Sequence, residues 1–249
     1  MTKSLAQYQE NKTGFFSKFP FGTFAFARLD DRLSDAEMWR NALQTSNAGR
    51  DPMGLTKRQP HVEMWNTECY GPKAYGEEPG NDKQAFSMIT TLFGARSRGE
   101  VTLNSLDPAA NPVVDHKHFS DPLDLLVLAE GCRLANEVVI EGNATKNVIT
   151  GSWPESLTHH AYKERAEWEV YLRKNAGTCY HPSGTCKMGK ADDQMAVTDA
   201  KLRVRGLENL RIVDASVIPN LMGGHPQMTV YAIAEKAADM IKGSMKAKA

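Results

Sequence analysis

Asn209-Leu-Arg-Ile-Val-Asp-Ala-Ser-Val-Ile-Pro219 runs on to Gly223-Gly-His-Pro-Gln-Met-Thr229 and then to an alanine-rich stretch ending near Lys242. The first five residues read as a short buried strand, because branched apolar side chains suit a pleated surface. From Gln227 to Lys242, Val230, Ile233, Ala234, Ala237 and Ile241 recur at helical spacing, so a helix with one apolar face is predicted. The chain thus closes on a strand followed by a helix. Its middle carries the reverse emphasis, with short strands and longer helices mixed, which places it in the α+β class.

Working back from that end, Pro122 opens a second helix, with Asp121 placed as its cap and Leu125, Leu128, Cys132, Ala135 and Val139 as its apolar stripe. A further helix is expected from His160 to Lys174, with Ala161, Trp168, Tyr171 and Leu172 as apolar members. A short one is expected over Asp35–Leu43 with Ser34 as N-cap. Ala85–Leu92 and Glu100–Leu103 read as strands joined by a turn at Ser97-Arg-Gly-Glu100, and Gly71–Asp82 reads as a surface loop. Phe15, Phe16, Phe19, Phe21, Phe24 and Phe26 crowd the first strand region, where alternation puts 24 and 26 on one face.

Composition excludes several functions. Thirty basic and 30 acidic side chains cancel over 249 residues, so neither nucleic acid nor an anionic membrane is an electrostatic partner. No apolar run approaches the ~20 residues that span a bilayer. Residues 1–14 are polar and lack the apolar core of a secretory signal, so a cytoplasmic location is expected. Four cysteines, at 69, 132, 179 and 186, are too sparse for a disulfide scaffold and do not have zinc-ligand spacing. His159 and His160, as successive residues, point in different directions and do not readily chelate one ion, and His116-x-His118 has no evident third ligand, so no metal is assigned.

Chemistry concentrates at two histidines. His181 lies in Cys179-Tyr-His-Pro-Ser-Gly-Thr-Cys-Lys-Met-Gly189, and His225 in Gly223-Gly-His-Pro226. A following proline biases each histidine toward extended backbone and stiffens its mount, and the glycines allow close backbone approach. The reading of His225 as a residue that merely caps or packs beneath the helix stands beside the catalytic one. Pro226 is expected at N1 of the terminal helix, whose free N–H groups favour an anion and a neutral His225.

The wider pattern resembles the C-terminal signature of the glucose–methanol–choline (GMC) flavin oxidoreductases. The likeness rests on His181–Gly189, Ala196-Val-Thr-Asp199, Leu202-Arg-Val204, Leu210–Pro219, Gly224-His-Pro226 and Ala232–Asp239, with Ser97–Leu103, Asp107-Pro108 and Asp121–Asp124 upstream. Tyr8–Gly14 is similar to the segment that opens the family's second half. The resemblance implies a substrate domain with a mostly antiparallel sheet flanked by helices over residues 1–196. It also implies a strand–helix segment over 197–249 that in the family completes the FAD domain. FAD is the implied cofactor, and alcohol oxidation by hydride transfer the implied reaction. His181 would take the hydroxyl proton and His225 would bond the same oxygen, with Asp214, Ala215, Pro226, Gln227 and Met228 near the cofactor.

The sequence departs from the family in holding no G-x-G-x-x-G turn for the FAD pyrophosphate. Its terminal strand and helix would then need cover from a second copy, a separate FAD-binding chain or rearranged earlier segments. The expected substrate is a small apolar or aromatic alcohol, from the phenylalanines near the start. Two alternatives are a flavin-free acid/base catalyst (isomerase, cyclase or lyase) and a non-catalytic binding subunit.

Overall fold

A computed structural model describes residues 2–14, 17, 21–67 and 84–246. The expected loop Gly71–Asp82, Cys69 and the aromatic residues 15, 16 and 19 lie outside the described residues. The elements in chain order are α1 (Thr2–Asn11), β1 (Phe21–Ala27), α2 (Asp30–Leu33), α3 (Glu37–Gln44), β2 (Val62–Thr67), β3 (Ser87–Leu92), β4 (Glu100–Thr102) and β5 (Val113–Asp115). Then follow α4 (Pro122–Glu141), α5 (Arg165–Asn175) and α6 (Gln227–Lys246). The chain is mixed α and β with antiparallel sheets, as the α+β reading expected.

The main sheet is antiparallel in the order β1-β2-β3. Phe24 pairs with Trp65 and Phe26 with Glu63, while Glu63 and Trp65 pair with Thr91 and Ile89 on the other side. Side chains alternate along a strand, so Phe24, Phe26, Glu63, Trp65, Ile89 and Thr91 share one face of the sheet. Val62, Met64 and Thr90 occupy the other, and α4 lies across it at Gly131. A methyl group on Gly131 would sit 2.8 Å from Val62 Cγ1 and 3.1 Å from Thr90 Cγ2. Val62 is fully buried and its branched side chain has little freedom to yield. Gly131→Ala is therefore expected to cost about 1–2 kcal/mol by denaturant titration, overpacking outweighing the gain in helix propensity. An unchanged midpoint would show that the helix can lift from the sheet without penalty.

The α4 boundary follows the sequence. Asp121 accepts a hydrogen bond from Leu123 N at 3.0 Å, directly ahead of Pro122. One apolar stripe was expected, but every residue from Leu123 to Gly131 is buried. Two layers cover the helix. Leu123, Leu126 and Val127 join a core with Leu29, Leu33, Trp39, Met53, Leu55 and Val62, while Leu125, Leu128 and Ala129 pack with Trp168 and Leu172 of α5.

Several boundaries differ from expectation. Ser34 is not an N-cap; its hydroxyl donates to Asp31 O at the end of α2, and α3 starts at Glu37. His159–Ala161 is a separate 3-10 turn, and α5 begins only at Arg165, where Glu164 and Glu167 form a reciprocal capping box. Ser97-Arg-Gly-Glu100 does not close a hairpin between β3 and β4, because β4 pairs with β5 in a second, two-stranded sheet. Asn209–Val213 is not a regular strand. It meets residues 201–204 of the same chain through the Arg203–Arg211 bridge and through bonds that include Val204 N to Leu210 O, Ile212 N to Leu202 O and Arg211 Nε to Lys201 O. A strand requires a ladder, and among the described residues no other segment extends this pairing.

The terminal helix α6 does form, four residues longer than expected. Ala237 is buried with Leu202 and Val217, and Ile233, Ile212, Val213 and Met188 pack around them. Ala234 and Ile241, assigned to the same face, are exposed, as are Met228 and Tyr231. Among the described residues Cys132, Cys179 and Cys186 are free thiols, and burial pushes the Cys132 thiol up to about 12. No described helix is long and apolar enough to cross a membrane.

Candidate active site

His181 sits in an irregular loop fastened to the 3-10 turn Ala215–Val217. Gly184 N donates to Ala215 O at 3.3 Å, Cys186 N to Ser216 O at 3.0 Å and Met188 N to Val217 O at 2.9 Å. The turn is itself held by Asp214, whose Oδ1 accepts from Ser216 N at 2.8 Å and Ser216 Oγ at 2.5 Å. Gly184 takes φ +83°, a left-handed geometry that an L side chain resists, which lets the loop double back onto this turn. Tyr180 precedes His181 with φ +59° and is almost fully exposed.

His225 lies two residues ahead of the first residue of α6. Pro226 is buried, and its carbonyl accepts the first helical bond from Val230 N at 2.9 Å. Pro226 is therefore the cap residue and Gln227 the first helical residue, one position later than expected. The N–H groups of residues 227–229 consequently have no acceptor within the helix.

The fold brings the two histidines together. His225 Nδ1 lies 3.1 Å from His181 Nε2, with ring centroids 4.7 Å apart and planes nearly perpendicular. Behind them, His225 Nε2 lies 2.9 Å from Glu63 Oε2. Glu63 is fully buried on β2, and its other oxygen, Oε1, has no hydrogen-bond partner among the described residues. Phe24 presents an edge-to-face ring 6.3 Å from His225 and stacks on Trp65 at 5.9 Å. The site is thus built on the sheet face opposite α4. Burial, followed by the charge of His225, holds the His181 imidazole below its ordinary pKa. The shift favours the neutral ring, the form that can accept a proton.

An open pocket of about 420 Å³ adjoins the pair, lined by Tyr180, His181, Pro226, Gln227, Val230 and Tyr231. Pro226 and Gln227 therefore share a pocket with His181. Met228 points to solvent, while Asp214 and Ala215 lie off the pocket wall and brace the His181 loop. The unpaired N–H groups at the start of α6 and the open pocket beside His181 fit the ring end of a flavin, which carries negative charge when reduced. No segment of the sequence fits its pyrophosphate.

Sequence reading missed Glu63. The available signal was an acid within the apolar run Val62-Glu-Met-Trp65, where an unpaired carboxylate costs too much to bury without a task. A second acidic cluster, Asp30, Asp51 and His61, has ligand atoms within 4.8 Å of one another. Arg28 already fills it, bonding Asp30 and Asp51 at 2.7 Å each. His61 Nδ1 accepts from Leu29 N, so Nε2 carries the proton and donates to Asp51 at 2.8 Å. This cluster is a structural clasp whose positive charge is a guanidinium.

Comparison with known proteins places these features. The family profile described as GMC oxidoreductase matches residues 95–234, more than half of the chain. Versicolorin B synthase of Emericella nidulans is 43% identical over 163 residues, covering 65% of this chain and 25% of the relative. Patulin synthase of Aspergillus clavatus is 38% identical over 168 residues, covering 68% of this chain and 26% of the relative. Among solved structures, a formate oxidase of Aspergillus oryzae described for its FAD modification superposes with a TM-score of 0.86 at 30% identity. That match covers 98% of this chain and 42% of the oxidase. The chain therefore spans between a quarter and about two fifths of the length of these relatives.

Proposed function

Because the chain belongs to the GMC oxidoreductase family, we propose that it is the substrate-domain half of an FAD-dependent alcohol oxidoreductase with His181 and His225 as its acid/base pair. The observation that carries this reading is the 3.1 Å approach of His225 Nδ1 to His181 Nε2 beside an open pocket. A hydroxyl oxygen entering between the two nitrogens donates its proton to His181 Nε2 and accepts a bond from His225. FAD, when bound, supplies the acceptor for the hydride that leaves the carbinol carbon. Proton removal by His181 raises electron density on that oxygen and so favours hydride departure. Pro226 and Gln227, with the free N–H groups that follow, would hold the flavin ring, and Asp214 and Ala215 would fix the His181 loop against it.

In this reading residues 1–196 form the substrate-binding domain and residues 197–249 contribute to the FAD domain. Met228 and Tyr231, exposed on α6, would be covered by a second copy or by FAD-binding chain. Phe24 and Trp65 beside His225 favour an apolar or aromatic alcohol, since a ring can stack on Phe24 while its hydroxyl reaches the histidines.

The reading is tested by titrating 4-methoxybenzyl alcohol into the protein labelled with ¹⁵N-histidine. Ring signals of His181 and His225 are expected to move along one saturating curve, and failure of both to move would remove the alcohol site. Without a phosphate-binding turn, this chain alone is expected to lose added FAD during gel filtration. Stoichiometric retention would show that the pocket beside α6 suffices. A second reading, acid/base catalysis with no net oxidation, is favoured by the Glu63–His225–His181 line, which moves protons with no electron acceptor, and by the synthase names of the relatives. Product formation by flavin-free protein would select it.

A further inference from the structure

We propose that Met222 is an oxidation-sensitive latch on the turn that carries His225. Its thioether ties that turn to the start of α6, and conversion to the sulfoxide releases His225 from His181. The latch follows from geometry that stands without the catalytic reading, and only its bearing on turnover rests on that reading.

Residues 219–225 form the mount of His225. Among the described residues, no backbone–backbone hydrogen bond closes this stretch on itself or joins it to another segment. The His181 loop, by contrast, has three such bonds to the turn Ala215–Val217. Gly223 and Gly224 stand directly ahead of His225, and neither takes a left-handed φ. A methyl group on Gly224 would meet nothing within 4 Å, and one on Gly223 would lie 3.8 Å from Pro60 Cδ, an ordinary contact. Neither a tight turn nor a close approach demands these glycines. What the pair supplies is backbone freedom.

Two side-chain contacts restrain that freedom. On one side Gly223 rests against Gln59-Pro60, a turn that Arg28 pins by donating to Thr56 O and Gln59 O at 2.6 Å each. On the other, Thr229 Oγ1 donates to Met222 Sδ at 3.0 Å, so residues 222 and 229 bracket His225-Pro226. Asn220 adds a 3.3 Å bond from Arg98 further back. The contacts of the His225 ring with His181 and Glu63 depend on where this mount carries it. Met222 is therefore a positioning residue.

The thioether is a weak acceptor and the one oxidisable group of the bracket. Its side chain is half-buried, so the latch is not sealed in the core. Hydrogen peroxide transfers one oxygen atom to the sulfur. The O–O bond breaks, an S=O bond forms, the sulfur gives up two electrons and the other peroxide oxygen leaves as water. Oxygen on the lone pair that Thr229 uses does not fit within a 3.0 Å contact. Oxygen on the other lone pair withdraws charge from the one that remains. Either epimer weakens the bond, and a polar, chiral group replaces an apolar one. The glycine pair then lets the turn swing away from the pinned Gln59-Pro60 wall.

The test treats flavin-free protein labelled with ¹⁵N-histidine with hydrogen peroxide, locating added oxygen by peptide mass spectrometry. Ring signals, assigned through His181→Gln and His225→Gln, are expected to shift for both histidines in step with Met222 oxidation. Methionine sulfoxide reductases should restore them. Met195, Met228 and Met245 are exposed and oxidise as well, so Met222→Leu is treated alongside. There the rings should start displaced and change no further with peroxide. Thr229→Val should displace them without peroxide and Thr229→Ser should not, one hydrogen bond being worth a ~2–10-fold shift in the mounted population. Gly224→Ala, by stiffening the hinge, should shrink the response. Met222 left unoxidised while Met228 reacts fully, rings unmoved once Met222 is oxidised, or an equal peroxide response in Met222→Leu would each overturn the latch. Should Met222→Leu not fold, the contrast between Thr229→Val and Thr229→Ser decides. If the rings respond yet the alcohol titration shows no binding, the catalytic reading fails and the latch stands.

Discussion

On the proposed acid/base reading, His181→Ala is expected to lower kcat by a factor of ~10²–10⁴ when the chain is assayed in excess FAD or together with an FAD-binding chain, the usual worth of a positioned general base. The loss should fall on kcat and kcat/KM together, because the proton moves in the transition state rather than on binding. The pH profile supplies an independent sign. His181 must be neutral to accept a proton, so the rate falls as pH drops through its pKa. Burial and the neighbouring His225 lower that pKa, so the acid limb should lie below the ~6.5 of a free imidazole. In the variant this limb should vanish. A turnover within threefold of wild type, or an acid limb that persists unchanged, would rule out His181 as the base.

Glu130→Ala is expected to destabilise the protein by about 3 kcal/mol, the low end of the ~3–5 kcal/mol for breaking a buried ion pair. Glu130 has zero side-chain exposure on α4 and is met by Arg32 at 2.5 Å, Arg133 at 2.8 Å and Arg165 at 3.0 Å. Its removal would leave the three guanidiniums facing one another around the vacated space. The low end applies because the arginines keep 27%, 27% and 18% exposure, so water can partly replace the carboxylate. Arg32 and Arg133 also retain Glu137 at 2.7 and 3.3 Å. Thermal unfolding should shift down by ~10 °C for a domain of this size. A change under 1 kcal/mol would mean that Glu137 takes over the cluster.

What the amino-acid sequence determined by itself was local. Asp121-Pro122 caps α4 because the cap and the proline act within one turn, and α6 begins after His225-Pro226 for the same reason. The two His-Pro mounts and the family resemblance likewise reside in contiguous motifs, so His181 and His225 stood out from the other histidines. Where a segment depended on distant partners, the reading slipped. Asn209–Val213 has strand composition but too short a ladder to be a strand. The expected His160–Lys174 helix breaks where Glu164 and Glu167 cap each other's backbone.

The tertiary structure alone decided the parts of the site that span long sequence separations. His181 and His225 are 44 positions apart in sequence and Glu63 and His225 are 162 apart, yet each pair meets within hydrogen-bonding distance. An acid in an apolar strand, like Glu63, and one in an apolar helix, like Glu130, are visible in the sequence as exceptions to pattern. Their partners are not, because periodicity reports which face a side chain takes and says nothing of what another element places opposite it. Local backbone and hydrophobic preferences therefore determined the elements and the chemistry-bearing motifs. The packing of β2 against the turn ahead of α6 determined which carboxylate stands behind which histidine.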